Sequence, residues 1–496
     1  MPPNRMPLPS RRGLLAALLL LSPVPLQAQH DHRIWGRVFM EDGEVHEGFI
    51  RLTRPRGGAA WTDLLATSRE ISEEHYQDWL DATRGGKPHV GTIELKGYRI
   101  TWEQKHPSFE RSHRSGIRFG HIAELTIGKG GRIRIVTRSQ YTAVAGLEGD
   151  SVVVGRDVHG APDDAGVPVE SDDGLMTVHR LNNTSWRIEN EGRSVRVQGG
   201  DVARIEFAAP PPGPAPPSAR LYGTVEDRTG RSFTGFIGWG WYEILESHIL
   251  DGFWEDVPGL AIPWESDKYR RAIRFSAIRT LERSLCGPTV TLKSGKVVPL
   301  CSEPFDRDPR PIRISDAALG LVEVEWDALR IIRFEPPPDQ PGYDAFDGGG
   351  PLTGTVVTRE GEEIEGRIRW DADEDWSWET LQGSSEDVEF SIEFGKITHI
   401  AREESGGALV TLRDGRSFHL TGGNDVDRDN RGIFIFPAAA EGAAAAAVGD
   451  PAAGAAVADL AAVATAGKPA PGWRYVAWED FREVRFRAVE AEEPGS

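Results

Sequence analysis

Gly354-Thr355-Val356-Val357-Thr358-Arg359-Glu360-Gly361-Glu362-Glu363-Ile364-Glu365-Gly366-Arg367-Ile368 decides the fold of this chain. Apolar residues alternate on both sides of Gly361, the pattern of a β-hairpin whose turn needs a glycine. The same frame occurs twice more at identical spacing. It reads Gly36-x-Val38, Gly43, Gly48-x-Ile50, and then Gly223-x-Val225, Gly230, Gly235-x-Ile237. Repeats at fixed spacing outrank other signals, because each copy is one structural unit.

A second motif follows each hairpin: Ile117-x-Phe119-x-x-Ile122-x-x-Leu125, Ile273-x-Phe275-x-x-Ile278-x-x-Leu281 and Ile392-x-Phe394-x-x-Ile397-x-x-Ile400. Period two passes into a step of three, which predicts strand, 3₁₀ turn, strand. The pattern closes each unit again, at Val197 to Phe207, Val324 to Phe334 and Val476 to Phe486. The opening hairpin also echoes within two of the units: Val290, Gly295, Val298 in the second and Val410, Gly415, Phe418 in the third. In the first, the stretch around Ile133-Arg134-Ile135 falls outside the match. Each unit therefore reads as two half-units of about 50 residues, the lower end of domain size.

The expected organisation is a signal peptide over 1–28 and unit 1 over 29–209, carrying an inserted helix over 67–84. A Pro-rich linker over 210–217 leads to unit 2 over 218–335. A Pro/Gly linker over 336–350 leads to unit 3 over 351–488, with an Ala-rich insertion at 438–467 and a tail over 489–496. The helix rests on a capping box at Thr67 and Glu70 with Gly85 as its stop. The linker over 210–217 reads as a semi-rigid extended spacer.

Bent hairpins followed by strand–3₁₀–strand steps resemble the SH3-like and Sm-like small barrels, in particular the tandem modules of exported bacterial envelope proteins. The resemblance implies an all-β chain of three tandem units, each of two small-barrel half-units. Sm-like barrels often bind RNA, but the charge of this chain argues against carrying that activity over.

Arg5, Arg11 and Arg12 precede the apolar run Gly13 to Leu21, and Ala28 offers a cleavage site before Gln29, the pattern of an export signal. Both the ordinary secretory and the twin-arginine route fit it. Losing its three arginines takes the formal charge from −19 to −22. So acidic a surface repels phosphate backbones and anionic lipid, which disfavours nucleic acid as a partner. No later segment has the length and apolarity of a membrane span. The two cysteines, Cys286 and Cys301, flank a hairpin with Gly295 in its turn, and a disulfide closing its base is expected, worth about 3 kcal/mol.

Three stretches carry candidate chemistry. Asp425, Asp427, Asp429 and Asn430 place oxygens at alternate positions, as calcium loops do. Asn430 at the sixth position and Phe436 at the twelfth depart from that loop and favour an ordinary polar turn. Asp371, Asp373, Trp376 and Trp378, with Trp239 and Trp241 in unit 2, could form a glycan platform of indole faces and carboxylates; core packing of the indoles is the competing reading. His30 and His32, flanking Asp31, read as a loose terminal tract, and His46 as half-buried and structural. No nucleophile elbow, zincin, phosphate loop or dinucleotide fingerprint is present. The sequence thus points to a non-catalytic exported protein, needing no cofactor, that binds an envelope protein or polysaccharide. Carbohydrate binding is the rival, and a glycoside hydrolase comes third.

Overall fold

The computed structural model describes residues 30–54, 57–84, 90–95, 98–103, 112–127, 132–140, 142–147, 151–154, 168–170, 176–179, 184–240, 242–254, 270–285, 287–301, 311–437 and 472–487. The signal-like segment, the Ala-rich insertion, Trp241 and Cys286 lie outside them. The chain is nearly all β, in five antiparallel sheets, and Glu73–Arg84 is the one α-helix among the described residues.

The three glycine frames form the three opening hairpins. Gly43, Gly230 and Gly361 turn at φ of +91°, +92° and +88°, which L side chains rarely adopt. The flanking glycines pair directly across the hairpin: Gly36 with Gly48, Gly223 with Gly235, and Gly354 with Gly366. Their absent side chains let the neighbouring strands close in. A Cβ on Gly366 would lie 1.9 Å from the Phe436 carbonyl oxygen, and one on Gly223 2.0 Å from that of Arg333.

One eight-strand order recurs in every unit. In unit 3 it runs Ser417–Leu420, Ala408–Leu412, Ile397–Arg402, Phe481–Phe486, Thr353–Thr358, Glu363–Arg369, Ile433–Pro437, Arg474–Val476. The closing strand pairs with the opening one, so the two halves interlock in a single sheet. The 3₁₀ turns form at Phe119–His121, Phe275–Ala277 and Phe394–Lys396, and Ile122, Ile278 and Ile397 just after them are fully buried.

The expected closed small barrels do not form: the sheets stay open. In units 1 and 2, edges that would have met within the unit are taken by other strands. Gly320–Val324 of unit 2 pairs along its whole length with Val388–Glu393 of unit 3, which makes a continuous twelve-stranded sheet. In unit 1, Leu64–Glu70 and Ser112–Arg118 extend the sheet to ten strands.

Two further expectations change. The helix begins at Glu73 rather than at 67, because Leu64 to Glu70 pairs as a strand with Ser112–Arg118. Ser72 caps it instead, accepting from the His75 N–H at 3.1 Å. His32 is no loose terminus; it is buried, stacked 5.1 Å from Phe236 of unit 2. The linker over 336–350 also packs as it connects, since Tyr343 and Phe346 are buried in the core of unit 1.

Every unit touches both others. Arg118 of unit 1 is buried, donates to the carbonyls of Asp316 and Ala317 in unit 2, and lies 3.0 Å from Glu393 Oε2 in unit 3. That last contact is off hydrogen-bond alignment and acts through charge. Burial favours a neutral Glu393, but Arg118 and His121 outweigh it and hold its pKa down to about 2. Arg220 clamps Asp63 through two bonds of 2.8 and 3.0 Å between units 2 and 1. On the inserted helix, Asp78 accepts from buried Arg369 of unit 3 at 2.8 Å, beside Trp79 and Leu80 packed on Ala372 and Phe434.

Candidate functional site

The strand Glu363–Arg369 ends in a tight reversal: Trp370 and Glu374 form a β-bridge, and Asp371 and Ala372 take φ of +47° and +66°. The turn sends Asp371, Asp373 and Glu374 inward, and all three are buried. The 421–432 loop meets them from the far side with Asp425 and Arg431. Asp371 accepts from Asn424 Nδ2, from the Arg431 backbone N–H and, at 3.0 Å, from Arg431 Nε. Arg431 also donates to Asp373 at 3.0 Å. Asp425 accepts from the Gln382 N–H, while its carbonyl takes the Trp370 indole N–H at 2.9 Å.

One oxygen each of Asp371, Glu374 and Asp425 lie within 4.8 Å of one another. Four buried carboxylates face one guanidinium, so burial and mutual repulsion raise the pKa values of Asp371, Glu374 and Asp425. Burial pushes Asp371 up to about 7 despite Arg431. Glu374 and Asp425 are raised too, by burial first and then by neighbouring carboxylates. Chemically, this is a proton-holding nest with oxygens in the arrangement a hard cation could accept in place of protons.

The nest joins Asp371 and Asp373, singled out as ligand-binding, to Asp425, singled out for calcium. The alternate-position loop itself turns elsewhere. Asp427 accepts from the Asp429 N–H at 2.9 Å within its own turn, and Asp429 is exposed. Asn430 is spent on Gly432 N–H and the Asp425 carbonyl. Sequence reading missed Glu374, which follows Asp373 directly, and Arg431, which follows Asn430 directly. The indoles pack: Trp378 is 3% exposed and, with part-buried Trp376, lies against the core of unit 1. Trp239 meets Trp326 edge-on at 6.0 Å.

A second recurrence shows only in three dimensions. Asp63 accepts from the N–H groups of Ala59 and Ala60, Glu379 from those of Asp375 and Trp376, and His248 Nδ1 lies 3.1 Å from the Ile244 N–H. One backbone position thus carries Asp, His and Glu in units 1, 2 and 3. In unit 2 its occupant faces unit 1: His248 Nε2 lies 3.2 Å from Arg51 Nη1. Burial and then Arg51 and Arg220 push this imidazole down to about 4, so it stays neutral. Beside it opens a cleft of about 510 Å³, with Arg51, Arg187 and Arg196 on the unit 1 wall and Tyr242, Glu243 and Asp251 on the unit 2 wall.

No family model, curated protein or solved structure matches the chain. Its function is therefore argued from these residues alone. No helix among the described residues is long and apolar enough to cross a membrane.

Proposed function

We propose that this chain is an exported, non-catalytic binding or scaffolding protein of the bacterial envelope, holding an envelope protein or polysaccharide. The observation that carries the reading is where the buried charges go. Arg118 with Glu393, Arg220 with Asp63 and Arg369 with Asp78 tie one unit to another, and half-buried Arg416 adds a bond to Asp316 at 2.8 Å. Buried ion pairs cost desolvation and are retained where they fix a unique arrangement. Three copies locked in register offer several surfaces at fixed separation, which suits multivalent holding. The basic and apolar N-terminal residues support export, and the hairpin between Pro288–Leu292 and Val297–Cys301 supports a disulfide at its base. No disulfide is seen among the described residues, which exclude Cys286.

The test uses the full-length protein as bait for solubilised envelope components, followed by reconstitution with the purified component. The expected result is saturable binding with no turnover of saccharide, peptide or ester substrates. Retention of nothing, or turnover, overturns the reading. Mass analysis of the exported protein should show Gln29 at its N-terminus. Thiol titration of the unfolded, unreduced chain should find no free thiol.

A further inference from the structure

Three arginines stand in one row on the cleft wall of unit 1. Arg51 pairs directly opposite Arg187, and Arg187 directly opposite Arg196, across three adjacent antiparallel strands. Like charges placed directly opposite destabilise a sheet. The other units avoid this at the same positions. Unit 2 has Gly238, Arg313 and Glu323, and unit 3 has Arg369, Phe434 and Tyr475. Local compensation in unit 1 is thin. Glu189 approaches Arg51 at 3.6 Å, while Arg187 and Arg196 donate to the hydroxyls of Ser194 and Ser185 at 3.0 and 3.3 Å. The Nε atoms of Arg51 and Arg187 are buried and meet no acceptor among the described residues. Burial, with Arg187 and Arg220 nearby, lowers the pKa of Arg51 even though Glu189 opposes the shift.

We propose that this cleft, at the seam of units 1 and 2, binds an anionic saccharide, its oxyanion held by the row Arg51–Arg187–Arg196. Guanidinium groups match carboxylate and phosphate oxygens by their forked geometry. The opposite wall suits the rest of a sugar: Glu243 and Asp251 can accept hydroxyl hydrogen bonds, and the exposed ring of Tyr242 offers a stacking face. The volume of about 510 Å³ falls within the range of small-molecule sites, which favour interfaces between domains. Uronates and sugar phosphates share the required chemistry, an oxyanion on a hydroxylated ring.

The proposal rests on the binding reading above and is tested separately from it. Purified full-length protein is titrated calorimetrically with glucuronate, glucose 1-phosphate, glucose and inorganic phosphate at matched ionic strength. Glucuronate or glucose 1-phosphate should bind more tightly than glucose or phosphate, and which of the two binds identifies the oxyanion. Arg187→Gln and, on the exposed edge, Arg196→Gln should each weaken that binding at least tenfold. Both variants should melt no lower than the parent, since each removes a like-charge contact. Absence of saturable binding by both sugar anions, tighter binding of phosphate alone, or unchanged binding in the variants overturns the proposal. A protein that captures no envelope component yet binds glucuronate would fail the scaffold reading while leaving this one standing.

Discussion

Arg118 touches all three units, and among the described residues its charge is paired with the carboxylate of Glu393. Glu393→Gln keeps the shape and removes the counter-charge, leaving a buried cation uncompensated. The expected loss is about 3–5 kcal/mol, read as a lower Tm. The pH dependence follows from a pKa of about 2 in the folded state against an ordinary value of 4.5. The Glu393 contribution is fully present above pH 4.5 and is lost as pH falls toward 2, so the variant should show a flatter acid limb over that window. The nest of unit 3 has the opposite sign. Asp371, Glu374 and Asp425 are raised, so the stability they contribute is present at low pH and is lost as pH rises, for Asp371 through about 7. Asp425→Asn should therefore raise Tm more at pH 8 than at pH 5. Arg118 and Glu393 occupy one slot of the repeat, ahead of Phe119 and Phe394, which the sequence displays. That these slots face each other across a junction is long-range information no local pattern holds. The acidic 371–379 stretch and the 425–430 loop were likewise legible separately, and only the fold brings Asp371 to Asp425.

At the scale of the element, the glycine frame separates two different demands. Gly361 has a left-handed φ with open space around its Cβ direction, whereas Gly366 lies against the backbone of the next strand. Gly361→Ala should cost on the order of 1 kcal/mol through backbone strain alone. Gly366→Ala must push two strands apart and should cost several times more, or abolish folding, as chemical denaturation of the two variants would show. The hairpins were legible because glycine marks both demands. The unit 1 hairpin around Ile135 was hidden for the converse reason. It pairs Ile135 with Leu125 and with Ala143, as Val290 and Val410 pair in the other units. Its turn, however, places Gln140 at φ +66° where they have Gly295 and Gly415. The helix start was misplaced because Thr67 and Glu70 satisfy a capping box while also continuing a strand, and pairing with Ser112–Arg118 decides between them.

Taken as a whole molecule, three repeats would suggest three independent unfolding events, but the junctions argue otherwise. The twelve-stranded sheet and the core shared by units 2 and 3 couple those units directly. Unit 1 is coupled through Tyr343 and Phe346. Calorimetry should find one cooperative transition, and Tyr343→Ala should lower it as a whole by about 3–5 kcal/mol rather than split off one unit. Repetition and all-β character were evident from spacing. Openness of the sheets was not, because whether an edge strand closes on its own unit or joins a neighbour depends on partners far along the chain.

The strap over 336–350 also has a consequence for the order of events in time. A chain is made and delivered from its N-terminus, so unit 1 emerges first. Yet its core includes Tyr343, Phe346 and Trp378, which follow the whole of unit 2. The first unit to appear thus cannot be completed until all of unit 2 has followed it, and until residue 378 has arrived its incomplete interior must be kept from the wrong company.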